Sequence, residues 1–341
     1  MMTAAYAAQG MEMRVPRSKG GSPPSQTPIP AHLVYPRKVR EYAHHLFDST
    51  VWNAFDFRDD DIVIGAYAKC GTTWVQQIVA QLLFDGAEDI DIARISPWLD
   101  CRFPDKAEKL DLLAAQEQRR FVKTHLPVDA LVFSRRAKYI YLGRDGRDVV
   151  WSLHNHHANF KPGVVRKIDS VPHRTGPPLG ETPPAILPYF RRWLHGNGCP
   201  WWPYWQHVRS WWQIRHLPNV MLLHFAELKA NLPAQIRRIA AFLNIPIDAS
   251  KWSRILEHCT FNYMRAHSIR SIPFAGGLWK GGLRTFLHKG TNGRWRPILP
   301  AADVARYEAT ARTHLGPEAA HWLATGQGAQ AESYAAARLR S

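Results

Sequence analysis

The fold is decided by one stretch of sequence, YAKCGTTW, which runs from Tyr67 to Trp74. It follows an apolar run at 61–67 that suits a buried strand. It leads into an amphipathic stretch at 74–84, where apolar residues recur at helical spacing. Gly71 permits a tight turn between the two, and free backbone N–H groups at a helix N-terminus attract an anion. Because Lys69 adds a positive charge, the loop indicates a phosphate or sulfate site.

Taken alone, this loop has two interpretations. An ordinary glycine turn with a threonine N-cap and a solvated Lys69 explains it as well as an anion site does. It differs from the GxxxxGK[ST] loop of nucleoside triphosphatases, since Lys69 precedes Gly71 and no lysine follows it. The apolar run at 138–142 continues into Gly143 and Arg144 rather than into an aspartate that could bind Mg²⁺. Basic residues without Mg²⁺ suit a sulfuryl group, which carries less charge than a phosphoryl group.

The wider pattern alternates strand-like and helix-like segments. Further strand candidates lie at 120–124, 138–142 and 219–225, and helix candidates begin near 147 and span 232–243. This alternation predicts an α/β fold, a single domain with a central parallel sheet flanked by helices. The Pro- and Gly-rich stretch 159–203 predicts long irregular loops over the sheet. We expect flexible tails at 1–30 and 326–341 around a domain at 31–325.

Composition narrows the class of protein. The chain has 341 residues, 45% of them hydrophobic, and a net charge of +16. No apolar run approaches the roughly 20 residues of a membrane helix, so no membrane span is expected. The four cysteines lack paired spacing, which favours a reducing cytoplasm. The charge is compatible with nucleic-acid binding, but no nucleic-acid signature is visible, so no nucleic-acid partner is expected.

Four later segments continue the pattern of the first loop, in a fixed order. They are KTHLP at 123–127, YLGRDGRDVVWS at 141–152, HCTF at 258–261 and FLHKG at 286–290. With YAKCGTTW, they make the sequence resemble the cytosolic sulfotransferase family over about residues 52–295. The resemblance implies a P-loop-like fold and transfer of a sulfuryl group from 3′-phosphoadenosine 5′-phosphosulfate (PAPS), without a metal. The implied partner is a small apolar or aromatic acceptor with a hydroxyl or amine. A kinase-like phosphoryl transfer is the alternative.

The resemblance also implies roles for individual residues. His125 would accept the acceptor's proton, Lys69 would stabilise the leaving oxygen, and Lys123 would hold the sulfuryl group. Arg144 and Ser152 would bind the 3′-phosphate. The donor is expected to contact Lys69, Cys70, Gly71, Thr72, Thr73, Trp74, Arg144, Ser152, Phe225, Thr260, Phe261, Met264, His288, Lys289 and Gly290.

Several positions depart from the family pattern. His288 stands where the family has arginine, so the 3′-phosphate clamp is expected to be weaker or pH-sensitive. Phe225 replaces a tyrosine found in many members and removes a hydroxyl contact, and Arg294 replaces the usual aspartate. The family's short dimerisation motif is missing after Trp295. The oligomeric state therefore stays open, with a homodimer as one option.

Three features admit a structural and a functional interpretation. Cys70 lies at a helix N-terminus, where a thiol pKa is lowered, but a passive small residue is the favoured interpretation. The run HNHH at 154–157 has no zinc spacing and is expected at the surface or in the pocket lining. Most of the 14 tryptophans are expected in the core, and the sharper alternative is an aromatic wall for the acceptor. We expect acceptor contacts from 85–110, 155–205 and 265–285.

Overall fold

A four-stranded parallel sheet lies at the centre of the protein, with strand order β2-β1-β3-β4. The computed structural model describes residues 33–267 and 277–328. The strands are β1 (Ile62–Ala66), β2 (Phe121–Thr124), β3 (Lys138–Gly143) and β4 (Val220–His224). Every strand residue except Lys138 is buried, as continuous apolar runs in a parallel sheet require. The predicted α/β fold with a central parallel sheet is confirmed.

Helices cover both faces of this sheet. They are α1 (Thr72–Leu83), α2 (Ile92–Ile95), α3 (Lys106–Ala114), α4 (Gly146–Ala158), α5 (Val164–Asp169), α6 (Ile186–His195), α7 (Tyr204–Gln213), α8 (Phe225–Ala230), α9 (Leu232–Leu243), α10 (Trp252–His258), α11 (Phe261–Ala266), α12 (Leu283–Phe286), α13 (Ala301–Leu315) and α14 (Pro317–Thr325). Short 3-10 turns occur at Ser49–Asn53 and Val128–Ala130. The helix predicted at 232–243 is confirmed to the residue.

A buried ion pair fixes the amino-terminal edge of the sheet. Arg120, just before β2, donates from Nε and Nη2 to the two carboxylate oxygens of Asp61, at 2.9 and 2.5 Å. Asp61 directly precedes β1, and the adjacent residues Ile62 and Phe121 are paired in the sheet. A bidentate guanidinium–carboxylate pair holds both groups in one geometry. The pair therefore helps to set the register of the two strands whose other ends carry the site.

The prediction of irregular loops over 159–203 is wrong in two places. This stretch contains α5 and α6. Helix α6 buries Tyr189, Phe190, Trp193 and Leu194, which follow helical spacing. Pro188 obscured the pattern, yet it lies in the first turn of the helix, where its missing N–H costs no intrahelical bond.

The ends of the chain are only partly described. The predicted tail at 1–30 lies outside the described residues, as does 329–341. Gly326 is the C-cap of α14 in a left-handed conformation, with φ at 83°, and it packs against His224. The described residues therefore continue three positions past 325, the predicted domain boundary. None of the described helices combines the length and hydropathy that a membrane crossing requires.

Candidate active site

One edge of the sheet gathers predicted site residues from all four strands. His125, Arg144 and Phe225 each directly follow a strand, and Lys69 comes three residues after β1. Because the strands are parallel, their carboxyl ends lie at the same edge, where α/β proteins bind ligands. A cavity of about 210 Å³ lies there, and all four residues line it. The sheet topology thus brings together residues up to 156 positions apart in the sequence.

Most of the predicted residues line this cavity. These are Lys69, Gly71, Thr72, Thr73, Trp74, Lys123, His125, Arg144, Ser152, Phe225, Phe261, Met264, His288, Lys289 and Gly290. Two predicted donor contacts do not line it. Cys70 is buried behind the loop, and the Thr260 hydroxyl is used as the N-cap of α11, where it accepts from the Tyr263 amide at 3.2 Å.

The loop after β1 has a backbone that leaves little choice of residue. Gly71 is the N-cap of α1 and has φ at 105°, a conformation that favours glycine. A Cβ at this position would lie 2.8 Å from Cδ2 of Phe225. Thr72 and Thr73 begin the helix, so their backbone N–H groups are among those without intrahelical partners. This geometry fits an anion at the helix N-terminus.

Cys70 does not have the character of a reactive thiol. Its side chain is buried, and burial raises the pKa of the thiol to about 12. A thiolate would be needed for nucleophilic chemistry. The passive interpretation, a small buried residue beneath the loop, agrees with this environment, and the lowered pKa considered from the sequence is wrong.

Two lysines lie in the cavity wall without an acidic partner. Lys69 Nζ is 3.3 Å from Nδ1 of His156 and 4.4 Å from the ring centre of Phe286. Burial, followed by the charges of Arg144 and Lys123, lowers the Lys69 pKa to about 7. Burial lowers the pKa of Lys123 to about 8. Within the described residues, no carboxylate lies within 4.0 Å of either ammonium. Such a pair favours a bound anion.

Arg144 ties the first loop to the late segment of the chain. Its guanidinium donates to the carbonyl oxygens of Lys69 and Thr291, each at 2.9 Å, and to Oδ1 of Asn292 at 3.2 Å. It also lies 4.1 Å from the ring centre of Phe225. The two protein segments that flank the predicted phosphate sites are therefore held together by one side chain.

His125 is held in one tautomer. Its Nδ1 donates to the carbonyl oxygen of Ala66 at 2.6 Å, so Nε2 carries the free lone pair. Burial and the charge of Lys123 hold the pKa of this imidazole well below 6.5. The backbone N–H of His125 donates to Asp100 at 3.2 Å, and Asp100 also accepts from the indole of Trp98 at 2.7 Å. A neutral, oriented imidazole of this kind can accept a proton.

The position of His288 is compatible with its predicted role. The side chain is half-buried in the cavity wall, and its Nδ1 has no hydrogen-bond partner among the described residues. Burial, then the charges of Arg294 and Lys289, lower its pKa below 6.5. A neutral imidazole contributes less to binding a phosphate than an arginine would. The weaker clamp stays a prediction.

The other half of the cavity is aromatic and apolar. It is lined by Leu46, Trp98, Cys101, Phe103, Phe160, Ile168, Trp201, Trp202, Leu278, Trp279, Phe286 and Leu287. Segments 85–110 and 155–205 contribute as predicted, and 265–285 contributes where it is described, outside 268–276. The tryptophans divide between the two interpretations, because Trp201 and Trp202 line the cavity whereas Trp205, Trp211 and Trp212 pack in the core.

Some lining residues were not predicted from the sequence. The run 154–157 was expected at the surface or in the pocket lining, and His156 of that run does line the cavity. Asp148, Trp151, Lys229, Thr291 and Arg294 also line the cavity. Asp148 accepts from the Gly293 amide at 2.8 Å, a contact that spacing could not reveal. Within the described ranges, no group of three His, Cys, Asp or Glu side chains is placed to hold a metal ion.

Known proteins are similar to this chain in sequence. Residues 59–318 match the sulfotransferase domain family. The chain is 32% identical to a glycolipid sulfotransferase of Mycobacterium tuberculosis, over 84% of this chain and 94% of that protein. It is 29% identical to human sulfotransferase 1E1, over 75% of this chain and 83% of that protein.

Solved structures show the same fold. Mouse sulfotransferase SULT7A1 complexed with PAP superposes with a TM-score of 0.62 at 19% identity, over 81% of this chain and 92% of that chain. Retinol dehydratase in a complex with retinol and PAP gives a TM-score of 0.58 at 24% identity, over 78% of this chain and 84% of that chain. None of these matches supports the phosphoryl-transfer alternative. The chain belongs to the sulfotransferase family and is a sulfotransferase.

Proposed function

We propose that this sulfotransferase uses PAPS as its donor and a small apolar or aromatic molecule as its acceptor, with His125 as the general base. One observation carries the proposal. The His125 imidazole is fixed by Ala66 with its lone pair on Nε2, and it lines the same cavity as Lys69 and Lys123. A base and two cations around one cavity match the charges that sulfuryl transfer moves.

The donor half fits an adenosine carrying two anionic groups. Thr72, Thr73 and the N-terminal amides of α1 would hold the 5′-phosphate. Arg144 and Ser152 would hold the 3′-phosphate, with Lys289 and Gly290 closing over it. All of these side chains, and Gly290, line the cavity. Arg144 donors now used by protein carbonyls would turn to the phosphate.

The part of the cavity that would contact the adenine ring is aromatic and apolar. Trp74, Phe225, Phe261 and Met264 line the cavity, and the rings of Trp74 and Phe225 meet edge to face at 5.5 Å. The Trp74 indole is fixed by a hydrogen bond from its N–H to the Cys259 carbonyl at 2.7 Å. A fixed indole offers an adenine ring a stacking surface at low entropic cost. Thr260 supports this region through its cap rather than by contact.

The chemistry needs one proton transfer and one bond exchange. The donor supplies an activated sulfuryl group. The acceptor oxygen forms a bond to sulfur as the bond from sulfur to the bridging phosphate oxygen breaks, and the acceptor proton passes to Nε2 of His125. Lys69 neutralises the charge that grows on the leaving oxygen, and Lys123 holds the sulfuryl oxygens. The products are a sulfate ester and adenosine 3′,5′-bisphosphate (PAP).

The acceptor class rests on the aromatic half of the cavity. Indole and phenyl rings bind apolar and aromatic molecules by burying their surface. The similarity to a glycolipid sulfotransferase supports including lipid-linked hydroxyls among the candidates. We also infer a cytoplasmic location, which is supported by the four cysteines of the described chain, each a free thiol. The oligomeric state stays open.

The test is a screen of hydroxyl and amine acceptors with PAPS, following release of PAP. The wild type should turn over at least one apolar or aromatic alcohol or phenol. The His125→Ala variant should lose about 10²–10⁴-fold in kcat while its PAP affinity, measured by calorimetry, is kept. His216→Ala, which removes an exposed histidine, is the matched control and should behave as the wild type.

Two outcomes would overturn parts of the proposal. Near-normal turnover by His125→Ala would show that another group accepts the proton. Consumption of ATP in the presence of Mg²⁺, with no PAP released from PAPS by any acceptor, would show that the donor is wrong.

A further inference from the structure

A second imidazole lies in the cavity besides that of His125. His156 is on α4, one turn after Ser152, so the two side chains share a face of the helix. It lines the cavity, with its ring centre 4.6 Å from that of Trp279 and 5.3 Å from that of Phe160. Its Nδ1 lies 3.3 Å from the ammonium of Lys69. His156 therefore stands where the cationic half of the cavity meets the aromatic half.

The hydrogen bond with Lys69 sets the tautomer of His156. Burial and the Lys69 charge hold the His156 pKa well below 6.5, so its ring is neutral and has one donor and one acceptor nitrogen. While Lys69 is charged, its ammonium only donates, so Nδ1 of His156 is the acceptor and Nε2 carries the hydrogen. The ring forms no other hydrogen bond within residues 33–267 and 277–328. Among the described residues, Lys69 is thus the one hydrogen-bond partner of this imidazole, which otherwise lies among aromatic rings.

Donor binding would compete for that lysine. The proposed function brings an anionic phosphate oxygen to Lys69, and an ammonium is attracted more strongly to an opposite charge than to a neutral imidazole. A Lys69 side chain that turns its ammonium toward this oxygen leaves Nδ1 of His156 facing the cavity without a protein partner. An unpaired buried acceptor is costly, so a ligand that donates a hydrogen bond there is favoured.

The two imidazoles are linked through a pair of indoles. The ring centre of His125 is 5.8 Å from that of Trp202, and the ring centre of His156 is 6.1 Å from that of Trp201. The two indoles are 6.0 Å apart and meet edge to face. Both imidazoles therefore border the same pair of indoles. A molecule that contacts both imidazoles needs two polar groups and an apolar portion that packs on these rings.

We propose that His156 is a specificity-determining residue that binds a second hydroxyl of the acceptor, next to the hydroxyl that His125 deprotonates. The preferred acceptors are then neighbouring diols and sugar-like polyols with an apolar portion, rather than simple alcohols. This inference rests on the proposed function, because the second hydroxyl is defined relative to the transferred group. The contact with His156, rather than the shape of the cavity, defines this class of acceptor.

The test compares two acceptors that share a primary hydroxyl, 2-phenylethanol and 1-phenylethane-1,2-diol. The wild type should favour the diol in kcat/KM by about 10-fold or more, since a site built for a hydroxyl discriminates against its absence. His156→Phe should remove that preference, because phenylalanine fills similar space without a hydrogen-bond acceptor. His156→Asn, which keeps an acceptor atom near Nδ1, should restore part of it.

A matched control and a second readout separate binding from folding. His154→Ala changes a histidine of the same helix that does not line the cavity, and it should keep the wild-type preference. Affinities of the two acceptors for the enzyme saturated with PAP, measured by calorimetry, should show the same preference without turnover. Melting temperatures identify any variant that fails to fold, and His156→Asn then decides.

The outcomes distinguish this inference from the proposed function. If the wild type and His156→Phe turn over the two acceptors with the same kcat/KM ratio, the role of His156 is overturned. The proposed function is then left intact. Failure of the wild type to release PAP from PAPS with any acceptor in the wider screen overturns the proposed function, and this inference with it. A diol preference that His156→Phe and His156→Asn both keep also overturns the inference.

Discussion

Nδ1 of His125 lies 2.6 Å from the carbonyl oxygen of Ala66. This bond joins the first residue after β2 to the last residue of β1, the strand next to it in the sheet. A carbonyl oxygen can only accept, so the proton sits on Nδ1 and the lone pair on Nε2. The orientation of the proposed base therefore follows from the pairing of two strands rather than from a separate carboxylate.

The first prediction concerns the charge of His125 in the empty enzyme. Because burial and Lys123 hold its pKa well below 6.5, the imidazole should stay neutral, as the Nδ1–H tautomer, from pH 8 down to 6. Nitrogen NMR of ¹⁵N-histidine-labelled protein checks this, with the His125→Ala spectrum identifying the signal. A signal that titrates with a midpoint near 6.5 would contradict the assigned environment.

The second prediction concerns protons taken up when the donor site is filled. The empty enzyme holds the pKa of Lys69 at about 7 and that of Lys123 at about 8, so both are partly deprotonated at pH 8. Bound phosphate raises both pKa values. PAP binding should therefore take up about one proton at pH 8 and almost none at pH 6. Calorimetry in buffers with different ionisation enthalpies measures the uptake, and equal values at both pH values would contradict the prediction.

The third prediction is a trade of activity for stability at Lys69. Its pKa of about 7 lies below the 10.5 of the unfolded chain, so the unfolded state binds more protons between these pH values. The destabilisation by its charge is full below pH 7 and is lost as the pH rises toward 10.5. Lys69→Met should raise the free energy of unfolding of the empty enzyme by on the order of 2 kcal/mol at pH 6.5, and by less at pH 9.

The same variant should lose activity. A cation that stabilises the leaving oxygen contributes to the transition state, so kcat should fall by about 10²-fold or more. Urea unfolding at the two pH values and PAP release with one acceptor measure both sides of the trade. Lys167→Met is the control, since Lys167 is exposed and does not line the cavity, and it should keep both the stability and the activity of the wild type. A Lys69→Met variant that is less stable at pH 6.5 would contradict the assignment.

The fourth prediction concerns Gly71. An alanine there must adopt φ near 105° and bring its Cβ to within 2.8 Å of the Phe225 ring. Gly71→Ala should therefore weaken PAP binding by about 10-fold or more, since backbone strain and displacement of Phe225 each cost on the order of 1–3 kcal/mol. Gly163→Ala is the control that introduces backbone strain without a close contact of the new Cβ. Gly163 is also a helix N-cap with positive φ, at 84°, but its Cβ would meet an atom only at 3.8 Å.

Part of the proposed donor site could be predicted from the sequence because its residues lie shortly after strands. Lys69, His125 and Arg144 each come within three positions of an apolar run, and parallel strands end at one edge. Two residues in the same motifs do not line the cavity, since a motif fixes a residue's place in the chain and not the direction of its side chain. Cys70 is buried behind the loop, and Thr260 caps α11.

The acceptor half could be predicted only as a set of segments. Leu46, Trp98 and Trp279 meet at one cavity although more than 230 positions separate the first from the last. No period or spacing connects them, because their proximity depends on how loops cross the sheet. His156 was ambiguous for a related reason. In the sequence it belongs to a polar run, and only its contact with Lys69 reveals its direction.

The division of the cavity between strand ends and surrounding segments has an evolutionary consequence. Lys69, Lys123 and Arg144, which we propose to handle the donor, lie on or shortly after strands, whereas Phe103, Leu278 and their aromatic neighbours belong to segments outside the sheet. Changes in those segments can alter which molecules become sulfated while the transfer chemistry is inherited unchanged. Acceptor choice can thus evolve separately from the transfer chemistry. A library of variants restricted to the aromatic lining residues is therefore the efficient route to new acceptors.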